Sequence, residues 1–149
     1  MKFRGLSLAL VLPLATMAGH VVASDYGTPE EARAMLESTV AMLQADKVGT
    51  LAMINAGEIM DRDLYPYCGG PDGMFTAHPN PDLLGRSLRE LQDKEGTAFG
   101  ETLYAEAAEG EIAEVSYMWP RPGETDPVQK VAYVTMVDDQ VCAVGFYQE

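Results

Sequence analysis

The chain has 149 residues, with 23 Asp and Glu against 10 Lys and Arg, a formal charge of −13, and 47% apolar residues. That length supports a single domain with one core, and the acidic excess excludes nucleic acid and anionic membrane surfaces as partners. Two cysteines and two histidines leave little material for a redox centre or a transition-metal site.

Residues 1–23 carry Lys2 and Arg4, an apolar run from Leu6 to Ala18, and Val21-Val22-Ala23 before Ser24. They read as an export signal peptide cleaved after Ala23. The apolar run is about a dozen residues, short of the roughly 20 that a membrane span requires. Residues 24–149 are then one mature domain, in which no second apolar run follows.

Thr28-Pro29-Glu30-Glu31 combines a Thr cap, proline at the first helical position and Glu three residues after the cap. It predicts a helix to about Asp46, with Ala32, Met35, Leu36, Val40 and Leu43 as its apolar stripe. Gly49 is read as a break, and Thr50 to Asn55 as a shorter second helix ending at Ala56-Gly57. Leu64 to Cys68 and Met74 to Ala77 then form a hairpin around Gly69-Gly70-Pro71-Asp72-Gly73. Pro79 and Pro81 stop the sheet and hold His78 and Asn80 on a stiff extended exit. Leu83 to Leu91 make a loop and a short turn that ends at Asp93 and Gly96. Thr97 is read as the cap of a helix to about Ala108, closed by Gly110. Three strands follow, Ile112–Trp119, Val128–Val137 and Gln140–Tyr147, the last two joined through Asp138-Asp139. The order predicts an α+β fold: an antiparallel sheet of about five strands with a long N-terminal helix packed across it.

After signal cleavage His78 is the remaining histidine, and nothing near it has metal-ligand spacing, so no metal and no cofactor are expected. No serine sits in a GxSxG elbow, and acid pairs such as Glu106 and Glu109 fall on an exposed helix face, so the sequence carries no positive sign of an enzyme. What remains is a set of rings and one cation: Tyr117, Trp119, Lys130 and Tyr133 from the second half of the sheet, with Tyr67, Phe75 and His78 from the first hairpin. An apolar wall with a few placed polar groups suits a small-molecule site, and the lysine suits a carboxylate or other small organic solute. The competing reading of Tyr117 and Trp119 is core packing, and of Lys130 a surface charge. Cys68 and Cys142, both in strand-like runs of an exported chain, read as a structural disulfide or as two buried thiols.

Tyr65 and Tyr67 before the Gly-rich turn, Asp72-Gly73, His78-Pro79-Asn80-Pro81, Leu84-Gly85, Asp93 with Gly96, Tyr117-Met118-Trp119-Pro120, Lys130 with Tyr133, and Gly145-Phe146-Tyr147 occur in an order that resembles the single Cache family. These are PAS-like extracytoplasmic sensor domains that bind small molecules. The resemblance implies the same α+β fold, with the first and last strands adjacent so that Cys68 meets Cys142. It also implies that the third and fourth strands wall the ligand pocket. The expectation is a periplasmic solute-binding domain without catalytic activity. With no membrane span after the signal, it would present its ligand to a membrane-bound sensor kinase or chemoreceptor of a chemotaxis or signal-transduction system. The alternative is a ligand-free interaction or assembly module that keeps the PAS-like shape.

Overall fold

A computed structural model describes residues 24–148, so the signal-peptide reading of residues 1–23 lies outside the described residues. Helix α1 (Pro29–Ala45) begins at the capping box. The Glu31 amide donates to Thr28 Oγ1 at 3.2 Å and the Thr28 amide donates to Glu31 Oε2 at 2.8 Å, which satisfies two of the free donors of the first turn. Helix α2 (Lys47–Asn55) follows after one residue, earlier than the expected start at Thr50. Asp46 both ends α1 and caps α2, its carboxylate accepting from the Gly49 amide at 3.0 Å. Gly49 is therefore not a break. It sits in the first turn of α2, where a Cβ would collide with that carboxylate.

Strands β1 (Pro66–Gly69) and β2 (Phe75–Ala77) form the first hairpin, and a 3₁₀ turn occupies Pro81–Leu83. Helix α3 is Phe99–Glu106, and β3 (Ala113–Pro120), β4 (Pro127–Val137) and β5 (Gln140–Tyr147) complete the chain. The expected Thr97 cap is corrected: Ala98 holds the cap position of α3 and makes no side-chain cap. The Thr97 amide instead donates to Asp93 Oδ1 at 2.9 Å. The sheet is antiparallel throughout, in the order β2-β1-β5-β4-β3. Among the described residues no helix is long and apolar enough to cross a membrane.

β5 is flanked on both sides, and all eight of its residues are buried. Alternation along the strands sends Cys142, Val144, Phe146, Val131 and Tyr133 to the face covered by α1, where Leu36 and Leu43 pack. Val141, Ala143, Ala132, Val134, Tyr117 and Tyr67 face the other way, toward α3 and the loop before it. Cys68 and Cys142 stand directly opposite in the β1–β5 ladder and form a disulfide. Closing a loop of 74 residues stabilises the fold by about 4 kcal/mol in the chain-entropy account.

Candidate functional site

The α3 face of the sheet carries a ring of tyrosines around one lysine. Tyr65, just ahead of β1, and Tyr67 within it share that face because they are two residues apart. Tyr117 comes from β3 and Tyr147 from β5. Register brings them together: Lys130 of β4 lies opposite Tyr117 on one side and opposite Tyr147 on the other.

Lys130 is 1% exposed. Its Nζ donates to the Tyr65 hydroxyl at 2.8 Å. It lies 4.2 Å from the centroid of the Tyr65 ring, 4.9 Å from Tyr147, 5.6 Å from Tyr67 and 6.0 Å from Tyr117. Among the described residues no carboxylate forms an ion pair with it. Ring faces and one hydroxyl offset part of the desolvation of an ammonium, but a buried cation without a counter-charge stays costly.

The groups around it are neutral donors. The Tyr67 and Tyr117 hydroxyls share a hydrogen bond at 2.8 Å. Burial pushes both phenols above their ordinary range, so both remain protonated. His78 Nδ1 accepts from the Asn80 amide at 2.8 Å, the geometry that the Pro79 and Pro81 exit imposes, and the His78 amide donates to Asn55 Oδ1 at 2.9 Å. Burial, reinforced by the charge on Lys130, lowers the imidazole pKa to about 3. Neutral, and with Nδ1 already an acceptor, His78 carries its proton on Nε2.

Beside this cage opens a cleft of about 330 Å³ between residues 78–83 and residues 119–124, whose lining includes Met60, Tyr65, His78, Leu83 and Trp119, with Asn80, Arg121 and Glu124 among its polar groups. A second recess, of about 10 Å³, lies against Tyr67, Phe75, Tyr117 and Lys130. That is room for one water-sized group. Tyr65, His78 and Trp119 line both, so they form the wall between them. Arg121 is the second cation here, but its Nε donates to Asp63 Oδ2 at 3.4 Å and its guanidinium lies 4.1 Å from the Tyr26 ring centroid, so its charge is compensated. Asp93 fixes the back of the site. Its carboxylate accepts from the Met118, Thr97 and Glu95 amides, the Met118 bond first among the causes that hold its pKa below the ordinary range. This ties the loop before α3 to β3 and places Phe99 flat on Tyr117, with ring centroids 3.9 Å apart.

Of the residues singled out from the sequence, Tyr67, Phe75, His78, Tyr117, Trp119 and Lys130 come together here. Tyr133 does not: it packs on the α1 face, 5.5 Å from the Phe146 ring, with Arg33 over it at 4.8 Å. The physical reason is parity, since residues three apart in a regular strand point to opposite faces. Sequence reasoning missed Tyr65 and Tyr147 as cage members. Both were recoverable, Tyr65 by its two-residue offset from Tyr67, and Tyr147 by counting back from the Asp138-Asp139 turn, which pairs Val137 with Gln140 and hence Lys130 with Tyr147.

The Cache domain family model matches residues 33–149, and the chain belongs to that family. It is 31% identical over 77 residues to the methyl-accepting chemotaxis protein McpP of Pseudomonas putida, a match covering 51% of this chain and 14% of that protein's length. Among solved structures, a methyl-accepting chemotaxis protein from Vibrio parahaemolyticus superposes with a TM-score of 0.65 at 22% identity, covering 79% of this chain and 86% of that one. A periplasmic sensor domain of a chemotaxis protein gives 0.58 at 26% identity, over 80% and 90% of the two chains. A Cache chemosensory domain described for carboxylic acid recognition gives 0.58 at 22% identity, over 80% and 88%.

Proposed function

We propose that this domain is a periplasmic sensor module that binds a small organic anion, a carboxylate in the simplest case, at the tyrosine cage. One observation carries the reading: a fully buried ammonium with a single hydroxyl partner and no counter-ion among the described residues. A carboxylate oxygen placed in the recess would meet Lys130 Nζ, with the Nε2 donor of His78 and the Tyr67–Tyr117 pair beside it, while the rest of the molecule occupies the cleft past Trp119. Charge-assisted hydrogen bonds of this kind are short and directional, which suits recognition of one head group. The disulfide favours an oxidising compartment, and the likeness to a periplasmic sensor domain points the same way. The role is binding and reporting, without a catalytic step, to a membrane-bound sensor kinase or chemoreceptor.

The small volume of the recess favours a second reading, an interaction module whose cage is filled by its own side chains. A thermal-shift screen separates the two. Protein is unfolded and refolded to strip carried-over ligand, then screened against acetate, propionate, pyruvate, succinate, benzoate, amino acids, amines and purines. A ligand at 100 times its dissociation constant adds about 2.7 kcal/mol. A flat screen on well-folded protein assigns the domain to the second reading.

A further inference from the structure

We infer that Gly145 is the positioning residue of the anion site, the one place in the sheet where the absence of a side chain lets Lys130 lie inward. The inference rests on the reading of Lys130 given above. Gly145 sits in the middle strand of the sheet, paired with Ala132 of β4. Pro66 pairs with Val144, so Tyr65 stands across from Gly145 on the β1 side. Its φ lies outside the left-handed region, so nothing in the backbone calls for glycine. Glycine inside a strand weakens it, and a glycine there signals close approach by another group. The approaching group is identified by the space a Cβ would take. It would overlap Lys130 Cε and press on Lys130 Cδ and Cγ at 3.1 Å, and no other residue supplies any of the three nearest atoms. The Lys130 stem therefore starts on β4, crosses β5 over Gly145 beside the small Ala132, and delivers its Nζ to Tyr65 on the far side. A Cβ at 145 must push the Lys130 stem out of this lane and carry its Nζ away from Tyr65.

The test uses His78, which feels the charge on Lys130 and reports its position without a ligand. The groups around His78 are Lys130, the rings of Tyr65, Tyr67 and Phe75, and the uncharged Asn55 and Asn80, while Arg121, paired with Asp63, and Glu124 line the cleft it faces. NMR titration of His78 is compared in the wild type, K130M and G145A. The expected result is a midpoint raised in K130M and raised in the same direction, by a smaller amount, in G145A. If K130M raises it and G145A titrates like the wild type, the lane is not what holds Lys130 and the inference falls. If neither moves it, Lys130 does not sit beside His78 and the anion-site reading fails first. Should G145A not fold, the double variant G145A/K130A decides: removing the stem empties the lane, so the double variant is expected to fold, and its failure to do so overturns the inference.

Discussion

Replacing Lys130 by methionine keeps a stem of similar length in the lane over Gly145 and removes the ammonium. Replacing buried ionic groups by apolar side chains of similar volume is often neutral or stabilising, by up to about 4 kcal/mol. Against this stand the lost hydrogen bond to the Tyr65 hydroxyl, about 1 kcal/mol, and the weaker contacts with the tyrosine rings. The balance for ligand-free K130M is a gain of up to about 2 kcal/mol, or up to about 6 °C in melting temperature for a domain of this size. The assay is thermal or urea denaturation of refolded protein at pH 7.5. Stability and binding are thus predicted to move in opposite directions at one residue, the mark of a charge kept for a ligand. A fall of more than about 3 °C would refute the reasoning, because the ammonium would then be satisfied in the ligand-free fold.

His78 makes stability depend on pH. Its folded pKa, about 3, lies below the ordinary value of 6.5, so the unfolded chain binds this proton first and stability falls as pH drops from about 6.5 toward 3. At pH 5 the loss is about 2 kcal/mol, in a window above the range where the lowered carboxylates Glu31, Asp61 and Asp93 take up protons. Denaturation midpoints of the wild type are expected to fall between pH 6.5 and 5 and those of H78Q to stay level; parallel curves would assign the effect elsewhere. The Cys68–Cys142 bond is expected to contribute about 4 kcal/mol, so C68S/C142S should melt at least 10 °C lower, and a loss under about 3 °C would show that the sheet holds this register unaided.

Much of the fold was legible because its signals are local. The Thr28 capping box, the stripe on α1 and the two-residue turn at Asp138-Asp139 each act within a few residues, and each set its element in place. Gly49 misled because a glycine in a first turn looks like a breaker until the Asp46 carboxylate that fills its space is known. The site was legible in residue type and not in facing. Tyr133 and Lys130 were grouped although their spacing in a strand separates them, whereas strand parity and hairpin register already held Tyr65 and Tyr147. The buried state of Lys130 could not be read locally at all. It depends on Gly145 across the sheet, and the cleft beside it depends on two proline-bearing segments some forty residues apart meeting in space.

The central claim, that Lys130 supplies the charge complement for an anionic ligand, is tested most directly by calorimetric titration of the best-binding acid from the screen and of its uncharged amide, into the wild type and into K130M. The account predicts that the acid binds the wild type about 100-fold more tightly than the amide does, a difference of about 2.7 kcal/mol, and that K130M loses this preference. Equal affinity of acid and amide for the wild type, or undiminished preference for the acid in K130M, would contradict it.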